Sequence, residues 1–367
     1  MGKFSLPALL KAMVDQDSSD LHITVGVPPM FRIQGKMVKV KADPLTPVDT
    51  KELCYSVITD SQKNEFEKHL EIDFSFGIKD VARFRGNLFL QRGSIGGVFR
   101  RIPIAIPDFN TLNLPLVLRD IIKRPNGLFL VTGPTGSGKS TTQAALLDII
   151  NREEFGHIVT VEDPIEFVHT SKNCIVNQRE VGMDTRSFAA ALRRILRQDP
   201  DYVLVGEMRD PETIEMALTM AETGHLVFAT LHTNNAIQAI NRMINVFPPH
   251  QQTQVRQALS FTLQAVSAQQ LIPTADRTGR VMAVEILIPT MGIRNLIRED
   301  KVHQIYSLMQ AGQEETGMQT MNQSLVSLVR KGTITKEAAL DHSNLPDELV
   351  KLLAGIQARP GKPGGGP

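Results

Sequence analysis

The run Gly133-Pro134-Thr135-Gly136-Ser137-Gly138-Lys139-Ser140-Thr141 has the residue types needed to hold a polyphosphate. Glycines let backbone N–H groups turn inward around phosphate oxygens with no Cβ in the way. Lys139 supplies a mobile positive charge for the β- and γ-phosphates, and the Ser140 hydroxyl can hold Mg²⁺. An apolar stretch (GLFLVT) precedes the loop and a helical one (TQAALLDII) follows it. Strand, glycine loop and helix together make a chance glycine-rich turn a poor explanation. The helix start adds its own dipole to the anion site.

Three further segments carry groups suited to the same chemistry. Asp201–Glu207 (DYVLVGE) reads as a buried strand ending in a carboxylate. Such a strand is expected beside the phosphate-loop strand, where Glu207 would polarise the attacking water and contribute to the Mg²⁺ site. Gly206 stands where a Mg²⁺-linked Asp is common. Ile158–Val161 ends in Glu162-Asp163-Pro164, which puts Glu162 and Asp163 at the carboxyl edge of a parallel sheet, where ligands bind. Glu162 competes with Glu207 for the base and is a second Mg²⁺ candidate. The run HLVFATLHTN places His225 before a strand and His232 after it. A lone histidine is more often a structural hydrogen-bonder, but His232 falls at the expected sheet edge and can sense a γ-phosphate. His225 has the weaker claim.

These groups need a scaffold, and the hydrophobic pattern predicts one. From about residue 116, strands at Leu128–Thr132, Ile158–Val161, Tyr202–Val205 and Leu226–Thr230 alternate with helices at Ser140–Asn151, Ser187–Arg197, Pro211–Thr223 and Ala236–Ile244. That is an α/β domain, over 116–290, with a mainly parallel sheet. A largely helical region is expected over 291–358 and a flexible Gly/Pro tail over 359–367. Residues 1–102 read as a smaller α+β domain. It opens with a helix over 5–14, capped by Ser5, and continues with short strands at Leu21–Val25, Met30–Ile33, Met37–Val40, Ala82–Gln91 and Gly97–Ile102. A helical segment, Leu53–His69, sits among them. Pro103, Pro107 and Pro115 predict a stiff connector over 103–115.

Composition weighs on the choice of class. With 40 basic and 39 acidic residues, 5% aromatics and no Trp, charge and stacking count against a nucleic-acid motor, the alternative from another class. Cys54 and Cys174 are far apart and form no CxxC pair, so neither a zinc site nor a disulfide scaffold is expected. No signal peptide and no run of about 18 apolar residues is visible. A soluble protein that reaches a membrane only through a partner is the expectation.

In order and spacing, GPTGSGKST, VTVEDPIEF, LRQDPDYVLVGEMRD and GHLVFATLHTN resemble the Walker A, Asp, Walker B and His boxes of the secretion ATPase family. Within it the chain is most similar to the branch that retracts type IV pili in twitching motility. The resemblance runs from SSDLHITVGVPPMFRIQG to GIRNLIRED. It implies a RecA-like ATPase domain, a PAS-like N-terminal domain, ATP and Mg²⁺ as ligands, and a cytoplasmic homohexamer. Such a ring works at the inner face of the cytoplasmic membrane on a pilus platform protein, without inserting into the bilayer or binding nucleic acid.

The resemblance also implies that arginines of the smaller domain close on nucleotide. The matching stretch holds Arg83, Arg85, Arg92, Arg100 and Arg101, of which Arg85 and Arg100, on different predicted strands, are the candidates. Gly292–Asp300 resembles the retraction signature AIRNLIRE, with Gly292 in place of Ala. Its Arg294 and Arg298 share a helix face at i, i+4, which asks for an acidic partner or a neighbouring element to neutralise them. An accessory retraction paralogue or an extension ATPase remains an alternative within the family. The extension branch usually adds an N-terminal domain and a cysteine cluster.

Overall fold

The computed structural model describes residues 5–33, 35–79, 81–102 and 105–357. Two compact units emerge: Met1–Ala105 with Glu166–Val168, and Ile106–Ile165 with His169–Pro367. The tail expected over 359–367 and the start of the connector, Pro103 and Ile104, lie outside the described residues. From Ile106 the connector stretch belongs to the second unit. Phe109 and Leu114 are buried in its core beside Leu118, so burial of two large apolar side chains overrides the stiff-spacer reading.

The first unit opens with α1 (Leu6–Asp15), whose N-cap Ser5 Oγ accepts the Ala8 N–H at 3.3 Å. Three short strands follow: β1 (Asp20–Ile23), β2 (Met30–Ile33) and β3 (Lys36–Lys39). The segment expected as one helix is two, α2 (Pro47–Tyr55) and α3 (Asp60–His69). Each starts at its own capping box, Thr46 with Asp49 and Thr59 with Gln62, and the second box forces the break. Then come β4 (Glu71–Ile78), β5 (Ala82–Gln91) and β6 (Ser94–Ile102). Strand β4 is absent from the sequence reading. The six strands run antiparallel in the order β3-β2-β1-β6-β5-β4, with Leu21, Phe31, Phe74, Phe84 and Phe99 in the core.

The second unit is a seven-stranded sheet covered on both faces. After α4 (Val117–Ile121) it alternates β7 (Gly127–Thr132), α5 (Lys139–Glu153), β8 (His157–Glu162), β9 (Ile175–Glu180), α6 (Phe188–Ile195), β10 (Tyr202–Val205), α7 (Pro211–Glu222), β11 (Leu226–Leu231), α8 (Ala236–Asn245) and α9 (Pro249–Thr262). It closes with β12 (Leu263–Pro273) and β13 (Arg280–Leu287). The order is β13-β12-β7-β11-β10-β8-β9, and only β13 runs antiparallel to its neighbour.

Strand β7 illustrates why the run is apolar throughout. Leu128 and Leu130 face the core under α6–α9, while Phe129 and Val131 face the one under α5. Phe129 meets Phe228 of β11 edge to face, with centroids 5.7 Å apart. Truncating either ring to Ala would cost about 3–5 kcal/mol.

This order corrects one expectation. Strand β10 does not lie beside β7, because β11 is inserted between them. The neighbour of the phosphate-loop strand is the one that leads into His232.

The region after 290 is helical as expected: α10 (Met291–Arg298), α11 (Ile305–Ala311), α12 (Gln313–Thr316), α13 (Met321–Arg330), α14 (Lys336–Asp341) and α15 (Pro346–Gln357). It is not a separate body. Met321, Leu325 and Leu349 pack on Ile272 and Ala283 of β12 and β13. Glu285 of β13, 4% exposed, fastens it further. Its Oε1 accepts the Ala236 N–H at 2.8 Å and its Oε2 the Met321 N–H at 3.2 Å. One buried carboxylate thus caps the N-termini of both α8 and α13. Among the described residues no helix is long and apolar enough to cross a membrane.

Candidate active site

The loop between β7 and α5 is built around its glycines. Gly133, at φ +144°, leaves no room for a side chain: a Cβ there would sit 2.3 Å from the Gln269 carbonyl oxygen. Gly138, at φ +88°, is the N-cap of α5 and turns the chain into the helix. Lys139 is buried, and its Nζ donates to the carbonyls of Gly133 (2.9 Å) and Pro134 (3.1 Å), folding the ammonium back over the loop. Pro134, Thr135 and Gly136 form the exposed tip, whereas Ser140 and Thr141 are half-buried in the first turn of α5.

The acids and His232 gather at the same sheet edge. Val205 is in register with Val161 and Ala229, so Gly206 follows at the level of Glu162 and Thr230. The Gly206 N–H donates to Val161 O at 2.8 Å, and the Thr230 hydroxyl donates to Gly206 O. A Cβ at position 206 would lie 3.1 Å from Glu162 Cα and from Val161 O. Close approach of strand β8 is therefore a physical reason for glycine where an Asp is common.

Glu207 is held from two sides. Arg209 grips it with Nε to Oε1 and Nη2 to Oε2, both at 2.7 Å, and His232 Nε2 lies 3.1 Å from Oε1. Burial pushes its pKa up, but the Arg209 pair and His232 outweigh burial and leave it below the usual range. Glu162 is buried rather than open to the crevice. Its Oε1 accepts from Thr160 Oγ1 (2.7 Å) and Gln178 Nε2 (3.1 Å). Asp163 is exposed and adds to the negative field at Arg209.

His225 is not part of this group. It precedes β11 at the opposite edge of the sheet, where its Nδ1 contacts Met220 O at 2.9 Å and Thr223 Oγ1 at 3.3 Å. A structural histidine finishing the end of α7 accounts for it.

In the first unit Arg85 and Arg100 are directly opposed across β5 and β6. Arg100 Nε bonds Asp20 Oδ1 at 2.8 Å, and Arg85 Nη2 lies 3.7 Å from Asp73 Oδ1. Their side chains are 68% and 48% exposed, so each guanidinium keeps an open side. Burial works to raise the Asp20 pKa, but hydrogen bonds from Arg100 and Ser19 hold it low. Arg83 Nη2 donates to Ser75 Oγ, Arg101 pairs with Asp17, and Arg92 sits in the β5–β6 turn at φ +49°.

On α10, Arg294 Nη1 donates to Ser260 O (2.7 Å) and Phe261 O (2.9 Å), two carbonyls in the last turn of α9. The neutralising element is thus a helix C-terminus rather than an acid. Arg298 is exposed and donates to Asn295 Oδ1.

A sequence profile of the type II/IV secretion system protein family matches residues 109–340. The chain belongs to this family. It is 51% identical over 341 residues to the type IV pilus retractation ATPase PilT of Pseudomonas aeruginosa, covering 93% of this chain and 98% of that protein. The type IV pilus ATPase PilU of the same organism is 43% identical over 345 residues, covering 94% and 90%. A crystal structure of the pilus retraction motor PilT with bound ADP superimposes with a TM-score of 0.90 at 50% identity, covering 95% of this chain and all of that one. The family member described here accordingly has a RecA-like P-loop ATPase domain, a smaller N-terminal α+β domain and a helical C-terminal extension.

Sequence reasoning missed three of the groups that build the site. Arg209, two residues after Glu207, was legible as a short-range ion pair. Gln178 and Gln269 had no local signal, since each reaches its partner from a separate strand.

Proposed function

We propose that this chain is a hexameric ATPase motor that drives type IV pilus retraction from the cytoplasmic side of the membrane. The Lys139 ammonium and the amides of the Gly133–Thr141 loop bind the phosphates of ATP. The residues present suit Mg²⁺ in a shared site. Ser140, half-buried in the first turn of α5, offers a hard oxygen donor, and the carboxylates at the sheet edge, Glu207 and the more buried Glu162, are the other candidates. When bound, the ion would neutralise charge on the β- and γ-phosphates.

Glu207, kept ionised by Arg209 and His232, accepts the proton of the attacking water, while Glu162 assists in placing the ion or the water. His232 is suited to register the γ-phosphate. Arg85 and Arg100 act on the nucleotide of a neighbouring subunit, where an exposed and always-charged guanidinium is useful. A pilus platform protein of the inner membrane is the partner.

One observation carries the reading: near-full-length likeness to a retraction ATPase joined to an intact phosphate loop with Glu207 and His232 paired at the same edge. The test is ATP turnover and nucleotide-dependent sizing of the purified chain, with Lys139→Ala alongside, and complementation of a strain that cannot retract pili. Turnover by Lys139→Ala near the parental rate would refute the phosphate-loop assignment. Complementation of an extension defect instead would move the chain to that branch.

A further inference from the structure

Gln269 lies on β12, one residue beyond the Ala268–Thr132 register pair, and is 1% exposed. Its Nε2 donates to Ser137 O at 3.1 Å, and its Oε1 accepts from Thr142 Oγ1 at 3.1 Å. Ser137 O can only accept, so it must face the NH₂ group, which in turn fixes Oε1 toward the Thr142 hydroxyl. Thr142 is likewise 1% exposed. A buried carboxamide thus ties the phosphate loop to the first turn of α5 from a strand far away in sequence. The main chain at Gln269 closes in as well, since its carbonyl is what excludes a Cβ at Gly133.

The consequence follows from peptide geometry. In a trans peptide the C=O of one residue and the N–H of the next point in opposite directions. Holding Ser137 C=O inward against β12 aims the Gly138 N–H outward, to the side on which the loop offers its amides. We infer that Gln269 is a positioning residue for phosphate binding, acting through the Ser137–Gly138 peptide. This rests on the nucleotide-binding reading above. Without Gln269 the peptide can rotate, a buried carbonyl is left unpaired, and the loop must be reordered at each binding event.

The test is ADP affinity by calorimetry, with kcat, KM for ATP and nucleotide-free melting temperature, for the parent, Gln269→Met and Thr142→Val. Met keeps the length and lacks charge, so it removes the hydrogen bonds without adding repulsion. We expect Gln269→Met to weaken ADP binding and raise KM by about tenfold or more, with kcat within a few-fold of the parent. Thr142→Val, which frees only one end of the carboxamide, should weaken binding by a few-fold. Unchanged affinity with a lowered melting temperature would make Gln269 a core polar group only and overturn the inference. If Gln269→Met fails to fold, Thr142→Val decides, and parental affinity there overturns it. A parent that binds no ADP would instead sink the nucleotide-binding reading itself.

Discussion

Glu207 Oε1 and His232 Nε2 stand 3.1 Å apart at the ends of adjacent strands, with Arg209 closing on the same carboxylate. A carboxylate placed this way is ionised and oriented before any substrate arrives, as the proposed base must be. Changing Glu207 to Gln keeps its size but loses the charge that takes up a proton. We expect ATP affinity to persist while kcat falls by on the order of 10²-fold or more. Glu162→Gln should slow turnover less, because Glu162 is buried against Thr160 and Gln178. Separate measurements of affinity and kcat decide between them, and a dead Glu162→Gln beside an active Glu207→Gln would reverse the assignment.

The Arg209 contact has a pH signature. Burial raises the Glu207 pKa, while Arg209 and His232 lower it to below the ordinary 4.5. Because the folded-state value is the lower one, the ionised group contributes to stability fully above pH 4.5 and loses that contribution as pH falls through the folded-state pKa. Arg209→Ala removes the largest lowering influence and leaves burial in place. The acid limb of kcat/KM should therefore move to higher pH in the variant. Superimposable profiles for variant and parent would count against Glu207 as the group that must be deprotonated.

Arg85 and Arg100 face each other across β5 and β6, an arrangement of like charges that disfavours the sheet unless anions are nearby. Asp20 and Asp73 supply part of that charge. Each Ala variant should bind ATP yet hydrolyse it poorly. Mixed with Lys139→Ala subunits, Arg100→Ala subunits should regain some turnover, since some interfaces then join an intact loop to an intact arginine. Absence of recovery in verified mixed rings would exclude a role across the subunit boundary.

The two arginines of α10 should separate. Arg294 satisfies the carbonyls of Ser260 and Phe261, so Arg294→Ala should lower stability by about 1–3 kcal/mol in denaturant titration. Exposed Arg298 carries little structural weight, and Arg298→Ala should leave ATP turnover and stability near parental while impairing pilus retraction. Loss of hydrolysis in parallel with retraction would instead tie α10 to catalysis.

What the sequence made legible follows physical range. Strand β7, its loop and α5 are written in contiguous residues, as is the cap at Ser5. Long-range order is not. Nothing local says that β11 slips between β7 and β10, which is why β10 was expected next to the loop. Strand β4 begins with the alternation of a strand, Glu71 and Asp73 exposed and Ile72 and Phe74 buried, but it adjoins a helix with no strong break. Gln269 meets the loop from 132 residues away and looks, in sequence, like any polar residue in a strand.

The shared cap at Glu285 bears on how the chain can be cut. A carboxylate has two oxygens, and here each is committed to a different helix, α8 next to the His232 segment and α13 in the C-terminal extension. Removing the extension would take away the partner of one oxygen and uncover Ile272 and Ala283, while the other oxygen still holds α8. For protein engineering, the segment from α13 onward is therefore not a detachable module. Grafting or trimming it alters the footing of the helix that follows the His232 segment.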